Sequence, residues 1–272
     1  MYQVSDIEIL IATMNRDDLG FLEVMFSKTD VTKYNILIIN QTTTEKQLHR
    51  TSRTIKVINV LEKGLSKSRN LALRSATKKL VVFTDDDVVF EANFDTTIIN
   101  AFNDYPNFDG FIFPFQMKEG VVAKKYSSTF QSQLSAFDIL NTSSVELVFK
   151  KEAIQSARLH FDENFGLGSP FYMGEEAIFV FDAKRKGLKM GFVPQILLTH
   201  SQFTTTQKAT VLERYFYQSA VFYRIFGKMY LFWVVLKLLF DLKQHKFGIR
   251  SIPQVLKQAL KGKKAYVDTT AL

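Results

Sequence analysis

The sequence contains no cysteine. That excludes disulfides, zinc–thiolate centres and cysteine nucleophiles, and it agrees with a cytosolic compartment. The first residues, MYQVSDIEIL, lack a basic segment followed by an apolar one, so no secretory leader is expected. No glycine-rich phosphate loop lies near the N-terminus, which argues against a nucleotidyltransferase. There is no internal repeat and no low-complexity tract. The apolar stretch Met229 to Phe240 (MYLFWVVLKLLF) falls short of the ~20 residues that span a bilayer. Excess positive charge is missing from most of the chain. The net charge is +8, yet residues 208–264 hold twelve Lys/Arg against Glu213 and Asp241, a local +10. The remainder therefore carries −2. This argues against a nucleic-acid groove spread over the main body and for an anionic partner at the tail.

What is present is globular: 46% hydrophobic residues and 26 phenylalanines in 272. Short apolar runs at Ile7–Thr13, Tyr34–Asn40, Thr54–Val60, Leu80–Thr84 and Gly110–Phe115 read as strands. Helical patterns alternate with them, around Leu19–Phe26, from a cap at Ser66 to Ala76, and at Asn93–Tyr105. Continuous apolar strands alternating with helices predict an α/β fold with a mostly parallel, doubly covered sheet. Ligands then bind at the carboxyl ends of the strands. Residues 117–142 read as an irregular or mobile insert. Glu146–Lys150 and Lys151–Ala157 read as a strand and a short helix. Asp162–Gly174 is a Gly-rich loop and Glu175–Lys186 a helix. Met190–Pro194 and Ile196–His200 follow as strands. Two long helices, Ala209–Phe226 and Lys228–Lys243, lie beyond. The reading places a domain over 1–205 and a basic, aromatic helical region over 206–272.

The stretch LVVFTDDDVVF (80–90) sets three carboxylates at one strand end. Asp85, Asp86 and Asp87 cannot ionise side by side in comfort without a cation. A hard divalent ion with oxygen ligands is the natural partner; a solvated acidic turn is the simpler alternative.

These aspartates have companions. Ala12-Thr13-Met14-Asn15-Arg16 closes the first strand and Asn40-Gln41 the second. Gly64, Arg69 and Asn70 fit a Gly-x-x-x-x-Arg-Asn helix start. Gly174-Glu175-Glu176 opens a later helix, and His200 ends a late strand. In this order and spacing, residues 5–202 resemble glycosyltransferase family 2. The resemblance implies a GT-A, Rossmann-like sheet with a C-terminal helical appendage, inverting transfer from a nucleoside-diphosphate-sugar, and a Mn2+ or Mg2+ cofactor. It implies donor contacts at Thr13, Asn15, Arg16, Asn40, Arg69, Asn70, Asp85 and Asp86, and metal ligation at Asp87 and His200. Glu176 takes the role of base. Glu175 and the loop glycine Gly168 face the acceptor. Two departures stand out. Asn40-Gln41 replaces the acidic pair usual at the second strand, and Glu175-Glu176 replaces the usual Glu-Asp, leaving either carboxylate open as base.

The tail crowds Tyr215, Phe216, Tyr217, Phe222, Tyr223, Phe226, Tyr230, Phe232 and Trp233 among flanking cations. Such a segment suits the surface of an anionic membrane, or packs on the domain, or forms an oligomer. With the family's habits, it suggests a glycan or lipid-linked glycan acceptor, surface polysaccharide synthesis of bacterial type, and a peripheral place at the inner face of the cell membrane. Two other readings stay open. Asp85-x-Asp87-x-Val89 also fits the nucleophile motif of haloacid-dehalogenase-like phosphatases. A non-catalytic GT-A-like module that binds membrane or partner proteins would need no base at all.

Overall fold

A computed structural model describes residues 1–49, 52–117, 124–200 and 209–271. The expected boundary near residue 205 lies outside the described residues. The chain opens with β1 (Ile7–Met14), α1 (Gly20–Met25), β2 (Asn35–Gln41), β3 (Ile55–Val60) and α2 (Leu65–Ser75). It continues through β4 (Leu80–Asp85), β5 (Val88–Phe90), α3 (Phe94–Asp104), β6 (Gly110–Ile112), β7 (Phe115–Met117) and α4 (Ala136–Leu140). Then come β8 (Leu147–Lys150), α5 (Lys151–Ser156), α6 (Glu175–Arg185), β9 (Met190–Phe192) and β10 (Leu198–His200). Three helices end it: α7 (Val211–Phe226), α8 (Tyr230–Lys243) and α9 (Ile252–Thr270).

Seven strands form one sheet in the order β3-β2-β1-β4-β8-β6-β9. All are parallel except β8, which runs against both β4 and β6. Alternate side chains of each strand go to opposite faces. Ile7, Ile9, Ile11, Ile36, Ile38 and Val82 pack with α1 and α3. Leu10, Leu37, Ile39, Val81 and Phe83 pack with α2, α5 and α6. Both faces are covered, which is why the strands are apolar throughout. The carboxyl ends of β2, β1 and β4 share one edge, and the polar motifs gather there.

A second sheet, β5-β10-β7, was not expected in this form. The run Gly110–Phe115 divides, with β6 in the main sheet and β7 in the small one. Val88–Phe90 adds a strand of three residues immediately after Asp87. Helix α2 is capped at Gly64, with φ of 135°, not at Ser66, whose hydroxyl donates to the Phe165 carbonyl at 2.6 Å. The insert is irregular but packed where it is described. Tyr126 stacks on Phe192 with centroids 6.0 Å apart and donates to buried Glu146 at 2.6 Å.

The C-terminal helices pack on the domain. Arg224 of α7 grips Asp162 at 2.8 Å and Asp182 at 2.7 and 3.2 Å. Val221 and Ile225 join Ala177 and Ile178 of α6 and Tyr266 of α9 in one core. Helix α9 crosses α7 closely because Gly262 lies against the Phe216 carbonyl, where a Cβ has no room. Helix α8 buries Val234 and Leu238 but leaves Leu231, Phe232, Val235, Leu239 and Phe240 exposed. Among the described residues no helix is long and apolar enough to cross a membrane.

Candidate active site

Strand β1 ends with Thr13, and Asn15 then turns the chain in the left-handed region (φ 55°). Asparagine tolerates that region better than most residues. The Asn15 amide donates to the Gln41 carbonyl at 2.8 Å. Arg16 is thereby aimed back at the aspartates, where its Nε meets Asp86 at 2.6 Å. The Thr13 hydroxyl also bonds Asp86. Asn40 is fully buried. Its amide clamps the Arg16 backbone at 2.8 and 3.2 Å and reaches Asn59 at 2.9 Å. Gln41 accepts from the Gly64 amide at 2.6 Å. The amides at the end of β2 thus hold the loop after β1 and the start of α2.

The centre of the constellation is Arg69, only 3% exposed. It donates to Glu175 at 3.0 Å, Asp85 at 3.2 Å and the Ser144 hydroxyl at 2.6 Å, and lies 3.6 Å from Glu176. One guanidinium fork therefore ties the end of β4 to the start of α6, geometry that a lysine cannot supply. Asn70 bonds the backbone of Phe161 at 2.8 and 2.9 Å and Glu163 at 2.9 Å, fixing the segment that leads to α6. Ser144 gave no sign of its role in sequence; its polar position just before β8 is the nearest signal.

Glu175 and Glu176 occupy the first turn of α6, where the helix dipole favours carboxylates. They differ in access: the Glu175 side chain is 5% exposed and that of Glu176 18%. Burial, with Glu176 beside it, pushes the Glu175 carboxyl up to about 8 against the pull of Arg69. Gly174 caps the helix at φ 92°, and a Cβ there would strike Val221 of α7. Gly168 lies against the Gly64 backbone, so the close approach that glycine permits here is to another loop.

The small sheet delivers His200. Its register sets His200 opposite Val88, which brings Nε2 to 3.4 Å from Asp87 Oδ1. Burial pushes the Asp87 carboxyl up; His200 pulls it down, and Asp85 and Asp86 push it further up. Asp85 and Asp86 already face guanidinium groups, whereas Asp87 faces the His200 imidazole. The donor set of Asp87 and His200 suits a divalent ion. Neighbouring ligands on such an ion stand about 3 Å apart at bonds of about 2.1 Å, near the observed spacing. Among the described residues no group of three metal-binding side chains is assembled.

This arrangement rests on a recognised fold. The sequence profile of Glycosyl transferase family 2 matches residues 9–158, more than half the chain. The protein belongs to that family. Solved structures agree on the GT-A fold. Residues 1–349 of S. aureus TarS superimpose with a TM-score of 0.62 at 12% identity, over 97% of this chain and 82% of that one. The same TarS fragment with UDP-GlcNAc gives 0.62 at 14% identity, over 93% and 79%. With UDP it gives 0.56 at 14%, over 81% and 65%. No curated protein matches the sequence significantly. Membership of that family sets aside the phosphatase reading of Asp85.

Proposed function

We propose that the protein transfers one sugar, with inversion, from a nucleoside-diphosphate-sugar to a glycan acceptor. The observation that carries this is the buried Arg69 bridge, which joins Asp85 to Glu175 and Glu176 in a single constellation. The donor end and the base end of an in-line displacement are thereby held in register.

The chemistry follows from the groups present. The acceptor hydroxyl oxygen attacks the anomeric carbon while the bond to the diphosphate breaks, and the hydroxyl proton goes to a carboxylate. Glu176 is the more accessible of the pair, so it is assigned as base. Glu175 holds the acceptor side and its bond to Arg69. The diphosphate leaves opposite the incoming oxygen. Asp87 and His200 would hold a Mn2+ or Mg2+ ion, which when bound neutralises the leaving diphosphate. Thr13, Asn15, Arg16, Asp85 and Asp86 line the nucleotide end, while Asn40 and Asn70 position the loops around it. The TarS complexes make UDP-sugars the first donors to test.

The exposed apolar face of α8 is bordered by exposed Lys228, Lys243, Lys246 and Arg250. That pairing fits docking on an anionic bilayer. It supports a lipid-linked acceptor, a peripheral place at the inner membrane face and a role in surface polysaccharide synthesis.

A thermal-shift series with nucleoside diphosphates tests the core of the reading, since ligand bound to the native state raises the midpoint. UDP with Mn2+ should raise it and Asp87→Ala should weaken that rise. No shift with any nucleotide, with or without metal, would overturn it.

A further inference from the structure

Helix α7 presents three residues in succession to the segment that leads into α6. Arg224 binds Asp162 and Asp182, Val221 lies against Gly174, and Tyr217 meets Tyr172 with ring centroids 5.5 Å apart. These positions are spaced by three and four, so they share one helix face. The face points at the N-terminal end of the helix that carries Glu175 and Glu176.

The tyrosine pair is not needed to fix the segment. Arg224 already anchors it through Asp162, Phe171 stacks on Phe216 with centroids 6.1 Å apart, and Tyr266 packs on Phe165 and Phe171. Tyr172 is nevertheless 50% exposed, four residues before Glu176. Neither the Tyr172 nor the Tyr217 hydroxyl bonds another described residue. The half-exposed Tyr172 ring and the partly buried Tyr217 beside it, their hydroxyls unbonded among the described residues, match the mixed surface of a pyranose. The C–H faces of the sugar cover the rings and its hydroxyls meet the phenols.

Resting on the transferase reading, we infer that Tyr172 and Tyr217 form an acceptor platform, on which a pyranose ring stacks with its reactive hydroxyl directed to Glu176. The C-terminal helices then complete the active site as well as packing on it. Val221 against Gly174 sets the height of the platform relative to the base.

The test uses the full chain, Mn2+, UDP-sugar and a panel of methyl hexopyranosides as acceptors. Tyr172→Ala and Tyr217→Ala should each lower kcat/KM for the acceptor about five- to tenfold, the range of one lost aromatic contact. Nucleotide affinity and the slow hydrolysis of donor by water should stay within about twofold, and the melting midpoint should hold for Tyr172→Ala, the more exposed of the two. Tyr172→Phe should recover most of the loss, because it keeps the ring. If no glycoside turns over, saturation-transfer NMR should still show pyranose protons contacted by the wild type and not by the double alanine variant. Unchanged acceptor terms, or no saturation with the wild type, would overturn the platform. A parallel fall in donor hydrolysis would also overturn it, by marking the tyrosines as structural. Loss of nucleotide binding in the wild type would instead indict the transferase reading.

Discussion

Replacing Arg69 by methionine should unfold the protein more readily and do so in a pH-dependent way. The side chain is buried and donates to Glu175, Asp85 and Ser144. Removing it leaves Glu175, Asp85 and the Ser144 hydroxyl without their shared donor, at a combined cost of about 3–5 kcal/mol. At about 2–4 °C per kcal/mol for chains near this size, the midpoint should fall by roughly 6–20 °C. The pH trend follows from Glu175. Its folded value, about 8, lies above the unfolded value near ~4.3. Stability from this group is therefore present at low pH and lost as pH rises through 8. Arg69 pulls Glu175 down, so without it the folded value rises further. The variant should accordingly lag the wild type more at pH 8.5 than at pH 5.5. Urea unfolding followed by circular dichroism at both pH values measures the difference. Arg69→Met with Glu175→Gln should recover roughly 2 kcal/mol, since the two sites are coupled. A deficit below about 1 kcal/mol, or one that is equal at both pH values and unrelieved by Glu175→Gln, would refute the reasoning.

Three other outcomes are expected. Gly174→Ala places a Cβ at positive φ and against Val221, so it should cost about 1–3 kcal/mol and lower transfer, read by thermal melting and product formation. Against the upward push of burial, Lys237 and Lys246 hold Asp241 below the usual carboxylate range. Its contribution should be full above the unfolded value of ~3.9 and lost as pH falls through the lower folded value; Asp241→Asn should flatten that acid limb of the stability curve. Leu239→Glu with Phe240→Glu on α8 should reduce co-sedimentation with phosphatidylserine vesicles while leaving donor hydrolysis intact; unchanged sedimentation would count against membrane docking.

The parallel sheet was legible because its strands are unbroken apolar runs, and the aspartates because charge at the end of such a run is conspicuous. The N-terminal end of α6 was legible through Gly174-Glu175-Glu176. Other features depend on contacts far apart in the chain. Arg69 reads locally as a helix residue free to face water or phosphate; it is buried because α6 and Ser144 close over it. Asn40 reads as a base-binding amide, but the loop after β1 folds onto it and takes up its hydrogen bonds. Helix α9 went unrecognised because its buried face, Val255, Ala259, Gly262 and Tyr266, holds two small residues among many lysines. Strand β5 has three residues, too few to show a period. The C-terminal aromatics suggested a surface helix, yet those of α7 are mostly inward, and α8 carries the exposed apolar face.

The proposed division of labour gives Glu176 the acceptor proton and Asp85, Asp86 and Asp87 the donor. Glu176→Gln tests it directly when UDP affinity and UDP release from a UDP-sugar are measured on the same preparation with Mn2+. UDP affinity should stay within about threefold, and release in the presence of acceptor should fall about 10²–10⁴-fold, the span of a lost general base. Undiminished release with Glu176→Gln would contradict the assignment.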